Sequence, residues 1–548
     1  MEIDNSFLFI FYKKIFKSNI TKPKYSHKVE SSNWGFFSSY PLSNQRYLIG
    51  NPQPSGDNFS LQINFDDKNT VHFLTDSISS IPLFYGEFGN IKIVSNSLGV
   101  IIDTLKANNI AIELNLSVCS EIIISSYIFS PEYTQIKNIK RLEPNSLLSI
   151  VLSDGSFSKN SYENYDFDYQ HSRLSKRDLA NELETSLING LKKYQNSKVG
   201  VLLSGGADSR LIASSAIKAN ISPQFITFGQ STVNSSDFLI GNHVAKALNS
   251  ETQCFTASAK NFKKNWKIFS EKLNWSGDQI WYFAKLPNDF YSTINSFDVV
   301  LRGDGDGVFG WKGKVGSLDD VLHTLEISSV GSLEPYLDIF TNKKHFIKIA
   351  SIARESVFMK YKDGLDSLES TKNKLYKVLR EYGCISPSIN FLSHWTNIDS
   401  PLMWKKSIDI ASMLPKNYRS NKKIIFDILA KENKFSNIPY SRGPSWNNQL
   451  EFFYSGVNEE LIDYICKWSP WEIDRSILRQ KFLNLPPIPN ELRCTSSVSG
   501  SIKNYLKERP FIRRYLLKNR PDLFYTSFSE RGLIRLAVIS SLNERVKS

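Results

Sequence analysis

The sequence predicts an α/β chain, with stacked antiparallel sheets in front, an open parallel sheet behind them and a helical remainder. Three observations carry this expectation. Up to about residue 165, short apolar or alternating segments stop at Asn, Asp or Gly, the pattern of strands joined by turns. From Lys176 the apolar spacing becomes helical, and strand-like runs then alternate with helical ones. From about residue 320 the helical period dominates.

In order along the chain, NFSLQINFDD, TVHFLTD, NIKIVSN and SLLSIVLSDGSF supply front strands. The polar stretch YDFDYQHSRLS, from Tyr165 to Ser175, marks a boundary. KRDLANELETSLINGLKKY reads as a helix. Val199 to Leu203 is then a continuous apolar strand, Ser204 to Ser209 a Gly-rich turn, and Arg210 onward a helix. PQFITFG and FDVVLRGDGDG supply two more buried strands, each ending at glycine. Such alternation indicates a parallel sheet, where ligands bind beyond the carboxyl ends of the strands. The expected division is 1–170, 171–460 and 461–548, the last a basic extension without a readable role.

With 548 residues, 41% hydrophobic and 13% aromatic, the chain is neither disordered nor fibrous. Lys plus Arg number 67 against 54 Asp plus Glu, a net charge of +13. That moderate excess suits an anionic ligand such as a nucleotide and does not call for nucleic acid. The five cysteines, Cys119, Cys254, Cys384, Cys466 and Cys494, form no CxxC pair, so neither a zinc knuckle nor a disulfide framework is indicated. Glu2 and Asp4 precede the first apolar run, the reverse of a signal peptide's basic leader. No apolar stretch approaches the roughly 20 residues of a membrane helix. A soluble, cytoplasmic protein in a reduced compartment is expected.

The strongest signal is the turn Ser204-Gly205-Gly206-Ala207-Asp208-Ser209. Two glycines let the backbone approach an anion closely, and the helix that follows begins with unsatisfied N–H donors and about half a positive charge. Ser204 and Ser209 add hydroxyl donors. Asp208, among so many phosphate-seeking donors, calls for a cation, most simply Mg²⁺. An ordinary strand-to-helix turn is the competing reading.

VLLSGGADS resembles the pyrophosphate-binding loop of the ATP pyrophosphatase superfamily, and the rest of the chain resembles its asparagine synthetase-like branch. FITFGQSTVNSSDFLIGNHVAKALN is similar to that family's next strand, Ser-Asp element and helix. LRGDGDGVFGW resembles its LSGEGxDExFGGY stretch, and SPLMWKKSIDIASMLPKNYRSNKKIIFDILAKE its PFLD and lysine-bearing helices. In front, DSISSIPLFYGEFGNIKIVSNSLGVI and IKRLEPNSLLSI resemble the family's DRxGxxPLYY and RLPPGxxL segments.

The resemblance implies an N-terminal-nucleophile-type β sandwich, then an adenine-nucleotide α-hydrolase-like synthetase region with a helical C-terminal part. It implies ATP and Mg²⁺, and activation of a carboxylate as an acyl-adenylate followed by amide formation. Carried over residue by residue, Ser204, Gly205, Gly206 and Ser209 match pyrophosphate-binding positions and Asp208 a metal ligand. Leu203, Phe228, Arg302 and Gly303 fall where the family uses backbone atoms around adenosine, although apolar strand residues such as Leu203 and Phe228 also read as core. Asp304 aligns with the glutamate beside the reacting substrate, and Asp306 with a second metal ligand. Lys423 matches a lysine that contacts phosphate and stabilises charge, with Lys422 its neighbour by a one-residue slip. Arg442 sits where the family often has a basic residue, and Gly277-Asp278 resembles the element that precedes the substrate pocket, its role left open.

Two departures stand out. GDGDG lacks one residue of the family spacing, and its second acid has become Gly307; DGDG alone also fits a solvated turn. Position 2 is Glu2, where glutamine-hydrolysing members carry cysteine, and the nearest cysteine is Cys119. The front region therefore reads as a degenerate glutaminase retained as a scaffold, as in the related β-lactam synthetases and lasso-peptide cyclases. The expected partners are a small-molecule or peptide carboxylate, an ammonia or amine donor, and proteins of a biosynthetic cluster. Competing readings are an ATP-binding pseudoenzyme or scaffold subunit, and a nucleic-acid-modifying member of the superfamily.

Overall fold

The computed structural model describes residues 7–12, 27–30, 34–38, 46–50, 60–66, 69–125, 128, 132–161, 174–229, 236–277, 283–305, 308–309, 337–362, 377–415, 418, 422–440, 457–483 and 526–548. The front strands are β1 (Phe7–Tyr12), β2 (His27–Glu30), β3 (Trp34–Ser38), β4 (Arg46–Gly50), β5 (Ser60–Asp66) and β6 (Thr70–Leu74). They continue with β7 (Phe84–Phe88), β8 (Ile91–Ser95), β9 (Ile139–Arg141), β10 (Ser146–Val151) and β11 (Phe157–Ser161). One antiparallel sheet has the order β2-β3-β1-β8-β7-β9, and a second the order β11-β10-β6-β5-β4.

The period of two in β1 explains how the first sheet is buried on both faces. Phe7 and Phe9 pack with Phe36, Leu61, Ile63, Phe73 and Ile150 between the sheets. Leu8 and Ile10 turn to the opposite face and join a core shared with helices α1 (Leu98–Ala107) and α2 (Leu116–Ser125). Ser97 caps α1 by accepting the Val100 N–H at 3.3 Å.

Behind Ser175 and Asp178, which form a reciprocal capping box, runs α3 (Lys176–Leu191). The parallel sheet comprises β12 (Val199–Leu202), β13 (Gln224–Gly229), β14 (Thr252–Thr256), β15 (Val299–Leu301) and β16 (Asn397–Asp399), in the order β14-β13-β12-β15-β16. Helices α4 (Ala207–Lys218), α5 (Ser236–Ala247) and α6 (Ala259–Lys272) follow β12, β13 and β14. The chain proceeds from β12 outward to β14, then returns to the other side of β12 as β15. That reversal places a switch point between the carboxyl ends of β12 and β15, where open α/β sheets bind ligands. The α/β class expected from the sequence is the observed one.

Polar ties join sandwich and parallel sheet. Asn274 and Trp275 both adopt left-handed backbone. Asn274 accepts the Leu98 N–H at 2.8 Å, and Gln135 donates to the Trp275 carbonyl at 2.6 Å. The buried Arg141 guanidinium stacks 3.6 Å from the centre of the Tyr382 ring and donates to Ser386 Oγ at 3.1 Å.

The C-terminal extension has a structural role that its sequence conceals. Residues Thr526–Lys547 form a helix buried along Leu533, Ile534, Leu536, Val538, Ile539 and Leu542. Apolar residues on so many sides give no amphipathic signature, and such a helix must be enclosed. Its Arg535 donates to the Ile123 carbonyl at 3.2 Å, near the end of α2, while Ser541 accepts from Trp275 Nε1 at 3.0 Å. Removing Arg535 as Arg535→Ala strips donors from buried carbonyls, and should cost about 2 kcal/mol. A denaturant-unfolding curve of the full chain measures that loss. Among the described residues no helix is long and apolar enough to cross a membrane.

Candidate functional site

The turn after β12 is held open by its own hydroxyls. Leu203 extends the strand by donating its N–H to the Ile226 carbonyl at 2.8 Å, and Thr227 Oγ1 donates to the Leu203 carbonyl. Ser204 N–H donates to Ser209 Oγ at 3.2 Å, and Gly206 N–H to Ser204 Oγ at 3.2 Å. The two hydroxyls lie 3.0 Å apart. Small hydroxyl side chains at both ends thus fix the turn without filling it. Helix α4 begins after Gly206, with no side-chain cap. Its first-turn N–H groups and partial positive charge therefore face the mouth of the turn, an arrangement suited to an anion.

Asp208 and Ser209 lie in that first turn, 6% and 5% exposed. Deeper in α4, Arg210 is fully buried, donates to the Ile438 and Pro439 carbonyls at 3.1 and 2.9 Å, and stacks 4.1 Å from the Tyr440 ring. Desolvation draws its pKa below the usual arginine value. The anchor ties α4 to the segment 438–440.

The loop after β15 interlocks with this turn. A Cβ on Gly303 would overlap the backbone nitrogen of Ser209, so only glycine allows the approach. Gly305 N–H donates to Asp208 Oδ2 at 3.2 Å, and Lys422 Nζ reaches the same oxygen at 2.5 Å. Gly303→Ala should destabilise the chain by about 1–3 kcal/mol through this overlap. Chemical denaturation would register it.

Asp304 is gripped from two sides. Arg302 meets it through Nε at 2.9 Å from Oδ2 and Nη2 at 3.0 Å from Oδ1, and Ser400 Oγ donates to Oδ2 at 2.7 Å. Ser400 follows β16, whose last residue, Asp399, accepts the Arg302 N–H at 2.8 Å through its carbonyl. The buried Asp399 carboxylate is held in turn by Tyr194 Oη at 2.6 Å and Trp404 Nε1 at 2.7 Å. Asp304 is thereby a fixed acceptor oriented by its neighbours.

Ser204, Gly205, Gly206, Asp208 and Ser209 form the turn and the start of α4, Gly303 packs against Asp208 and Ser209, and Asp304 stands on the same loop between Gly303 and Gly305. Leu203, 2% exposed, belongs to the core, and half-buried Phe228 packs edge-on against Phe290 with ring centres 5.4 Å apart. Arg302 contributes a side chain that holds Asp304, in addition to the backbone role expected of it. Of the two adjacent lysines, Lys422 pairs with Asp208, whereas Lys423 is exposed at the start of helix Lys423–Ala430. The reason is conformational, since Lys422 takes a left-handed backbone at φ 57° and its N–H donates to the Phe309 carbonyl at 3.1 Å. Asp306, Asp278, Arg442 and Glu2 lie outside the described residues. Cys119 is buried on α2, and desolvation raises its thiol pKa above the usual cysteine value.

One residue of the site went unread in the sequence: Ser400 sits in SPLMW, where nothing local marks it as a partner of Asp304. Asp237, in the Ser-Asp element, stands in the first turn of α5 and accepts the Gly205 N–H at 3.1 Å, a contact that the sequence alone does not show. Among the described residues no three His, Cys, Asp or Glu side chains converge as metal ligands. Asp208 supplies one buried carboxylate to the mouth of the turn, so a divalent cation bound there needs a second acid or phosphate oxygens.

No protein-family model matches the chain. Over 184 residues it is 33% identical to a protein named "Putative asparagine synthetase (glutamine-hydrolyzing) 1" from Methanocaldococcus jannaschii, a match covering 31% of this chain and 32% of that protein. The chain thus spans about a third of the length of the curated relative it matches. Over that share it is similar to an asparagine synthetase-type protein.

Proposed function

We propose that the chain is an ATP-dependent amide ligase that adenylates a carboxylate, releases pyrophosphate and transfers nitrogen to the acyl group, without glutaminase activity of its own. The observation that carries the reading is the interlocking of two glycine loops at the switch point of the sheet, with Asp208 shared between Gly305 N–H and Lys422. A carboxylate resists amines until its oxygen becomes a good leaving group. Adenylation supplies one where donors hold the departing pyrophosphate.

In this reading the N–H groups of the first turn of α4 hold the two outer phosphates at the mouth of the turn, with the Ser204 and Ser209 hydroxyls keeping it open. Asp208 with Asp306 would hold Mg²⁺, whose charge offsets that of the phosphates. Leu203, Phe228 and Gly303 offer backbone atoms to adenosine. Asp304, oriented by Arg302 and Ser400, borders the acyl substrate. Lys422 takes the charge-stabilising role that resemblance gives to Lys423. The nitrogen comes from ammonia or from an amine on a small molecule or peptide, and proximity of amine to acyl group contributes effective molarities of roughly 10⁵ M or more. The front sandwich serves as a scaffold.

A second reading, an ATP-binding scaffold, draws support from the occupation of both Asp304 oxygens by Arg302 and Ser400. Carboxylate-dependent exchange of labelled pyrophosphate into ATP separates the two, with amino acids, hydroxy acids and short peptides as candidates. Exchange with one class of acid supports the ligase. ATP binding with no exchange for any class supports the scaffold, and turnover that needs RNA would point to nucleic-acid modification.

A further inference from the structure

Three N–H groups of the turn proper have partners within the chain. Those of Ser204 and Gly206 bond serine hydroxyls of the turn itself, which are neutral and preserve its shape. The third, Gly205 N–H, points to a carboxylate, Asp237 Oδ1, at 3.1 Å. A negatively charged oxygen thus rests on a donor of the kind that phosphate oxygens seek.

The placement is built into the packing of α5. Gly241 lies one turn after Asp237, on the same helix face. A Cβ at Gly241 would come 2.9 Å from Thr227 Oγ1 and 3.4 Å from the Leu203 carbonyl, so glycine lets α5 lie against the ends of β12 and β13. Phe238 and Val244, 2% and 0% exposed, fix the helix in that position. The close approach brings the first turn of α5 to the phosphate turn.

We infer that Asp237 is a specificity-determining residue: its carboxylate holds Gly205 N–H and admits only phosphates whose charge a metal ion has offset. The inference rests on the proposed binding of ATP phosphates by this turn. Metal-free pyrophosphate must displace a like charge from the donor and remain beside it, whereas a magnesium-paired phosphate meets a carboxylate it can tolerate. Repulsion between charges a few ångströms apart at a partly exposed site is worth about tenfold or more in affinity.

Calorimetric titration of the full chain with pyrophosphate and ATP, each with and without Mg²⁺, tests this. Asp237→Asn keeps an acceptor for Gly205 N–H and removes the charge. It should tighten metal-free pyrophosphate about tenfold and shrink the magnesium dependence by the same factor, whereas Asp237→Glu should keep the wild-type dependence. Asp237→Ser, read in the same way, replaces the Asn variant if that one misfolds. An unchanged ratio of affinities with and without magnesium, or equal weakening of both forms, overturns the inference and leaves the ligase reading standing. A wild-type chain that binds neither ligand in either form overturns both.

Discussion

Asp208→Ala is expected to abolish carboxylate-dependent pyrophosphate exchange, with a loss of about three orders of magnitude, because one carboxylate performs several tasks. It accepts Gly305 N–H at 3.2 Å and so ties the loop after β15 to the first turn of α4. It pairs with Lys422 at 2.5 Å and, on the proposed reading, holds the cation that accompanies ATP. Alanine removes all three at once. Asp208→Asn separates them: an amide oxygen still accepts from Gly305, but the charge that pairs with lysine and metal is gone. If the charge matters most, the two variants fall together in exchange rate while thermal melts show Asn the more stable. An Asp208→Asn enzyme with near wild-type exchange would show that the loop tie alone is needed.

The second large effect separates two adjacent lysines. Lys422→Ala should lower kcat/KM for exchange by about a hundredfold, the scale of losing one charge stabiliser at a reacting phosphate. Lys423→Ala should change it by less than about threefold, since an exposed surface substitution usually does little. Steady-state exchange kinetics of both variants settle the register. Lys422→Gly adds a control, because φ 57° costs a non-glycine residue about 1–2 kcal/mol and glycine none. That variant should keep its stability within about 1 kcal/mol, as gained backbone comfort offsets the lost ion pair, and still lose activity. Loss of activity in Lys423→Ala with Lys422→Ala intact would restore the register read from sequence.

The legibility of these features follows the range of the interactions that create them. SGGADS is local, since strand, turn and helix start lie within a dozen residues and the chemistry of each is fixed by its own side chain. The alternation in TVHFLTD and the apolar run from Val199 report burial face by face, so both sheet types were readable. Which of the two lysines meets Asp208 was not. A helical pattern cannot distinguish Lys422 from Lys423 when the first stands in a left-handed conformation that a hydrogen bond to Phe309 maintains. Arg302 and Asp304 are two apart, and their pairing with Ser400 depends on β15 and β16 being neighbours. Asp237 meets Gly205 only because Gly241 lets α5 press against the sheet. The helix Thr526–Lys547 was hidden for another reason: apolar on most sides, it shows no polar face to mark its period.

Competition between MgATP and pyrophosphate for the full chain tests the central claim most directly, with MgATP binding read by calorimetry at rising pyrophosphate. The account predicts saturable MgATP binding that pyrophosphate displaces one for one and that Asp208→Ala eliminates. Binding of MgATP that pyrophosphate leaves untouched, or no binding of MgATP to the wild-type chain, would contradict it.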